Sequence, residues 1–154
     1  MQDQELADLI GQTGPLDDRI VEIVALGDAN ALWAARFEHL DVLIGNMPEE
    51  QMIGFFATID GPKDDVALPA YRAMMAANAL WRTTGGLRFS LVNDGGIELS
   101  MTLAAVGITP RLLADCLLAL AGHTANWALI FSGAVPPPAP ETIAPAFDPS
   151  LIRV

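Results

Sequence analysis

Few side chains in this sequence belong to the types that ordinarily do chemistry. Its 154 residues hold two histidines and one cysteine. His39, in "RFEHLD", falls in a polar break, and His123, in "AGHTAN", falls in a helical pattern. Nothing in the sequence brings the two together with a carboxylate, and a metal or acid–base site needs such groups to converge. Cys116 would need a neighbouring base to act as a nucleophile. His123 is seven residues on, two helical turns or about 10 Å away by helical rise, too far for direct activation. Set in "LLADCLLAL", the thiol is expected to be buried and inert. A single cysteine also excludes an internal disulfide framework and an all-cysteine metal site.

The doublets Asp17-Asp18, Glu49-Glu50 and Asp64-Asp65 are the remaining candidates for hydrolytic or calcium chemistry. Each lies in an expected exposed break, and no Asp-x-Asp-x-Asp-Gly run with a closing glutamate accompanies them, so they read as solvated charge. The glycines of "TTGGLRF" and "NDGGIEL" have neither dinucleotide-fingerprint spacing nor the Lys-Ser/Thr of a phosphate loop. They read as a helix stop and a hairpin turn. The sequence therefore leads to an expectation of no catalytic residues, no metal and no cofactor.

The elements that carry these residues are better marked. Leu6, Leu9 and Ile10 recur at helical spacing in residues 3–12, with Asp3 and Glu5 near the N-terminal end, and Gly14-Pro15 stops the pattern. Residues 17–26, "DDRIVEIVAL", fit either a helix stripe or a β-branched strand, and the reading here favours helix. From 29 to 59, "ANALWAARF", "DVLIGNM" and "MIGFFATI" are separated by short polar breaks and predict three antiparallel strands. After the charged loop 60–65, Leu68, Tyr71, Met74, Met75, Asn78 and Trp81 or Arg82 return with helical period until Gly85-Gly86.

A hairpin follows. Leu87, Phe89 and Leu91 alternate with Arg88 and Ser90, and after "NDGG" Ile97, Leu99, Met101 and Leu103 face one way. Thr109 and Pro110 then start a long helix whose stripe is Leu113, Cys116, Leu117, Leu120, Thr124, Trp127 and Phe131. The order predicts an α+β fold: an antiparallel sheet of about five strands, as a three-strand unit, a helix and a hairpin, packed against helices. Residues 1–134 are expected to form one domain. Residues 135–154 are expected to be a proline-rich extended tail whose Ile143, Phe147, Leu151 and Ile152 could dock on a neighbouring surface.

Composition bounds the partners. The formal charge of −11 is carried by residues 1–65, with fourteen carboxylates against Arg19, Arg36 and Lys63; the rest balance at five and five. Such a chain is poorly suited to nucleic acid, whose phosphates need clustered lysine and arginine. It is 52% hydrophobic with a mean hydropathy of +0.37. Its apolar runs read as too short and interrupted to span a bilayer, so some apolar surface is expected to meet a protein partner. The start "MQDQELADLIGQ" lacks the basic and apolar pattern of a signal peptide, which leads to a cytoplasmic expectation. The Met and aromatic residues of the 68–82 segment suit either core or a subunit interface.

The stretch "YRAMMAANALWRTTGGLRFSLVNDGGIELSMTL", followed by a capped helix ending "HTANWALIF", resembles the C-terminal half of class I type III secretion chaperones, the Tir-chaperone (CesT) family. The resemblance rests on Asn78, Leu80, Trp81, Thr84, Gly85, Gly86, Leu91, Gly95, Leu99, Leu103 and Trp127, and spans residues 71–131. It implies a small cytoplasmic homodimer, not an enzyme, that needs no cofactor. The homodimer would bind the N-terminal chaperone-binding segment of a secreted effector protein and keep it soluble and export-competent. It places the dimer interface on Tyr71, Met74, Met75, Asn78 and Trp81, and effector contacts on Leu6, Leu9, Ile10, Val42, Ile44, Ile53 and Phe55. Gly14-Pro15, which divides the first 26 residues, and the proline-rich tail depart from the family pattern. An adaptor of the same fold acting on a folded partner is the alternative.

Overall fold

A computed structural model describes residues 2–27, 32–82, 85–93 and 95–138. Thr84 and the tail residues Ile143, Phe147, Leu151 and Ile152 lie outside them. The elements run α1 (Asp3–Thr13), a 3-10 turn (Gly14–Leu16), β1 (Glu22–Ala25), β2 (Leu32–Arg36), β3 (Asp41–Met47), β4 (Met52–Ile59), α2 (Ala67–Ala79), β5 (Arg88–Leu91), β6 (Ile97–Ala104) and α3 (Pro110–Phe131). The strands form one six-stranded sheet in the order β1-β2-β3-β4-β6-β5, and β1–β2, β2–β3, β3–β4 and β5–β6 pair antiparallel. The fold is α+β, as expected, with six strands where about five were predicted.

The additional strand is β1, in the segment read as helix. Asp17 accepts the Arg19 backbone N–H at 3.0 Å and its own carbonyl accepts Ile20 N–H at 3.1 Å, turning the chain. Val21 N–H then bonds to Arg36 O at 2.9 Å, and Glu22↔Arg36 through Ala25↔Trp33 pair in register. The β-branched run Ile20–Val24 loses side-chain freedom in a helix and packs well on a pleated surface, so a neighbouring strand decided between two locally acceptable states.

The described residues divide into two compact units, one of those up to residue 57 with 102–121, the other of those from 58 to 101 with 122–138. In the first, α1 opens with a capping box in which Glu5 Oε2 accepts the Gln2 N–H at 2.8 Å. Leu6, Ile10 and Thr13 turn inward at helical spacing. Thr13 donates from Oγ1 to Leu9 O at 2.8 Å, and Asn46 Nδ2 on β3 donates to Asp3 Oδ1 at 2.6 Å. The core here is Leu6, Trp33, Ala35, Val42, Ile44, Ile53 and Phe55 with Leu113 and Leu117 of α3.

In the second unit α2 buries Ala70, Ala73, Met74 and Ala77. It ends at Ala79, before Trp81, and Gly85 and Gly86 take positive φ values of 74° and 83°, where only glycine is free of strain. Gly86 N–H donates to Trp81 O at 2.7 Å. Phe89 packs edge-on against Trp127 of α3, ring centroids 4.7 Å apart, and Trp127 meets Phe131 at 5.6 Å. Phe89 is buried but Leu91, expected on the same core face, is 69% exposed. It is the last residue of a four-residue strand.

The α3 helix is long and apolar enough to cross a membrane by length and composition, contrary to the reading of the apolar runs. Half of its most apolar window is buried inside the fold. The stripe Leu113, Cys116, Leu117, Leu120, Thr124, Trp127 and Phe131 is buried throughout, so packing accounts for its apolarity.

Candidate functional site

The residues first weighed for chemistry do not converge. Among the described residues no three His, Cys, Asp or Glu side chains come together as a metal site would require. Burial pushes the Cys116 thiol up to about 12, so no thiolate nucleophile forms near neutrality. His123 is half-buried and desolvation holds its imidazole below the usual value, while His39 is exposed in the β2–β3 turn. Asp17 is engaged by Arg19, whose Nε and Nη2 donate to its two oxygens at 2.8 and 2.9 Å. Those bonds hold the carboxyl well below the usual carboxylate range.

What the surface offers instead is apolar. In the first unit Val21 (67%), Leu16, Leu26 and Leu32 are exposed in and around β1, which is a terminal strand of the sheet. Beside it lies a groove of about 670 Å³ lined by Ile10, Pro15, Ile20, Val21 and Ile23, with Asp17, Asp18 and Glu22 along its walls. An edge strand presents unpaired backbone groups to any extended chain, and the neighbouring groove could take alternate side chains.

The sheet's other terminal strand, β5, is treated differently. Asn78 of α2 donates from Nδ2 to Phe89 O at 3.0 Å and accepts Phe89 N–H on Oδ1 at 2.8 Å. One side-chain amide thus occupies the edge groups that a further strand would use.

The second apolar surface is on α2. At about 100° per residue, Leu68, Tyr71 and Met75 fall on one side of the helix, opposite the buried Ala70, Ala73, Met74 and Ala77. They are 63%, 37% and 72% exposed. Past the end of this helix the Trp81 ring carries two guanidinium groups, those of Arg88 and Arg82, 4.6 and 5.2 Å from its centroid.

The residues expected to contact an effector are placed elsewhere. Leu6, Val42, Ile44, Ile53 and Phe55 have no exposed area and Ile10 has 5%. Their side chains are core, because the alternation that aligned them on one face aligned them inward. Leu9 alone is half-buried, over a shallow hollow with Gln51, Val106 and Ile108. Of the expected interface residues, Tyr71 and Met75 are exposed, Met74 is core, Asn78 is spent on β5, and Trp81 is half-buried. The exposed positions Val21, Leu26 and Leu32 were missed. Alternation between buried Ile20 and exposed Val21 is their signal, visible only if the segment is read as a strand.

With this geometry in view, the comparisons with known proteins are informative. The model of the Tir chaperone protein (CesT) family matches residues 27–128, from the approach to β2 into the second half of α3. No curated protein sequence matches. Solved structures do: the HopA1-SchA chaperone-effector complex, at 9% identity over 82% of this chain and 94% of that one, has a TM-score of 0.64. The Yersinia pestis type III secretion chaperone SycH, solved with a stable fragment of YscM2, is 15% identical over 85% of this chain and 100% of its own, with a TM-score of 0.60. YbjN, a putative transcription regulator from E. coli, is 14% identical over 84% and 90%, with a TM-score of 0.56. At these identities the structural likenesses establish the fold.

Proposed function

Because this chain belongs to the Tir chaperone protein (CesT) family, we propose that it is a cytoplasmic type III secretion chaperone, not an enzyme. As a homodimer it binds the N-terminal chaperone-binding segment of an effector protein and keeps that segment soluble and competent for export. The observation that carries this reading is the family match itself, which takes in every strand from β2 to β6 and the whole of α2. The surfaces suit it. An extended client segment adds along the open edge of β1 and sets apolar side chains into the groove beside Val21 and Ile23. The exposed face of α2, through Leu68, Tyr71 and Met75, meets a second copy. Residues 1–134 act as the chaperone domain.

Here Leu6, Ile10, Val42, Ile44, Ile53 and Phe55 support the client surface from beneath, and Leu9 with the β1 residues touches the client. Co-expression with N-terminal fragments of the secreted proteins encoded in the same genome tests this. The expected result is a soluble complex in which limited proteolysis leaves a short N-terminal client segment protected. In the Val21→Asp variant, which puts a charge on the apolar edge without touching the core, that complex should be lost or weakened at least tenfold. Loss of a buried apolar contact together with desolvation of a charge supports that size.

The likeness to YbjN favours a second reading, a regulatory or adaptor domain of the same fold. It predicts capture of a folded partner domain with no N-terminal segment required. That result would overturn the chaperone reading.

A further inference from the structure

The tail residues 141–151, outside the described part of the chain, follow a two-residue pattern in sequence. Beyond Glu141 the odd positions are Ile143, Pro145, Phe147, Pro149 and Leu151, all apolar. The even positions are Thr142, Ala144, Ala146, Asp148 and Ser150, all small or polar. In an extended chain the two sets face opposite ways, and their backbone groups point to opposite edges. Both prolines therefore remove donors from the same edge, while every residue on the other edge keeps its N–H. A segment of this kind pairs on one side and resists a further strand on the other, which is how an edge strand is written.

The sheet offers one edge to match. Asn78 occupies the outer groups of Phe89 on β5, whereas β1 is a terminal strand with its outer side open. Leu26 N–H donates to Leu32 O at 2.8 Å, so by antiparallel alternation Val24 and Glu22 also turn their backbone groups to β2. Ile23 and Ala25 turn theirs outward. Val21, whose N–H reaches Arg36 O at 2.9 Å beside the Glu22↔Arg36 pair, begins the strand as a bulge does. Apolar cover lies on both faces of this edge. The groove with Ile10, Pro15 and Ile23 is on one, and Val24, Leu32 and Leu43 share the other.

We propose that residues 141–151 pair along the open edge of β1 of their own chain, through Ala144 and Ala146, and hold the client site closed until a client displaces them. This rests on the client-binding reading of β1 above and adds its regulation. From Val135 to Ala146 the chain extends up to about 36 Å, more than twice the radius of gyration of about 15 Å expected at this length, so the tether is long enough to reach an edge of its own chain. A tethered segment acts at an effective concentration on the order of millimolar, and an intrinsic Kd of only about 0.1 mM then keeps the edge covered about ten to one. A client meets a correspondingly lower apparent affinity. Glu141 and Asp148 carry the same sign as Asp17 and Asp18 on the groove wall, which keeps the contact weak enough to be displaced.

Amide hydrogen exchange of the full chain without a client, read by NMR at Ile23 and Ala25, tests this. Both amides should exchange at least about tenfold more slowly than in the variant Ala144→Pro with Ala146→Pro, which removes two donors from the pairing edge and lies outside every described helix and strand. Glu141→Pro puts a proline on the edge that already lacks donors and should leave the protection in place. A synthetic peptide of residues 139–154 should bind the double variant at least about tenfold more tightly than the unaltered chain, whose own tail competes. Equal exchange in the unaltered chain and the double variant would overturn the pairing. So would an equal loss in Glu141→Pro, since added proline and not the edge would then be the cause. Mixing isotope-labelled double variant with an excess of unlabelled unaltered chain separates the two sources of a tail. The labelled edge should stay unprotected; protection appearing there would place the tail on a second copy and overturn the assignment to its own chain. No client enters these measurements, so the tail pairing can fail while client capture on co-expression stands, and client capture can fail while the tail pairs.

Discussion

Asn78 lies within the segment that resembles the family, and its use is clear at the level of single atoms. Its amide supplies one donor and one acceptor, and Phe89 N–H and C=O take both, at 2.8 and 3.0 Å. Asn78→Ala should therefore lower stability by about 1–3 kcal/mol in denaturant titration, since two hydrogen bonds go and two backbone groups are left to find water. A destabilisation below about half a kcal/mol would show that solvent already serves those groups. His123 makes a prediction in pH. Burial holds its folded value below the 6.5 of an unperturbed imidazole. Between the two values the unfolded chain binds more protons than the folded one, so this group lowers stability as pH falls through 6.5 towards the folded value. His123→Gln, which never charges, should lose less thermal stability than the unaltered chain between pH 7 and 5.5; identical pH profiles would contradict the assignment. Neither role was visible in the sequence, which presented Asn78 as a candidate interface residue and His123 as an isolated histidine, because a hydrogen-bond partner and a degree of burial are both matters of what folds over the residue.

Among the elements, α2 and β1 show how periodicity succeeds and fails. The apolar runs of β3 and β4 between short polar breaks, the alternation in β6 and the inward stripe of α3 made those elements legible from the residues alone, with the Thr109-Pro110 start placed to the residue. Thr109 Oγ1 accepts Leu112 N–H at 3.2 Å, as a cap should. The four residues of β1 were too short to outvote a helical reading of Ile20, Val21, Ile23 and Val24. In α2 large apolar residues fall on both sides of the helix, so the pattern marked a helix without saying which side is core. The structure spends alanines and Met74 inward and leaves Leu68, Tyr71 and Met75 outward. Met75→Asp should accordingly split the proposed homodimer while leaving the fold intact, because a side chain 72% exposed has little to lose within its own chain. Light scattering should fall from about twice the 16.4 kDa chain mass to that mass itself, with the circular dichroism unchanged; a persistent dimer would move the interface off this face.

For the molecule as a whole, the sequence by itself determined the α+β class, the order of nearly all its elements, the acidic character of residues 1–65 and a likeness to a family that the match over residues 27–128 then established. These are properties of local pattern, in which each residue's type and its spacing to near neighbours carry the information. Only the tertiary structure decided which apolar residues remain on the surface. Leu6, Val42, Ile44, Ile53 and Phe55 read as plausible contacts and became core; Val21, Leu26 and Leu32 were passed over and stand exposed along β1. A strand's two faces and a helix's two sides look alike in sequence when both are apolar. Burial is settled by contacts between residues far apart in the chain, and these, with the pairing of β1 to β2 and the Asn78 clamp on β5, chose the surfaces left for partners.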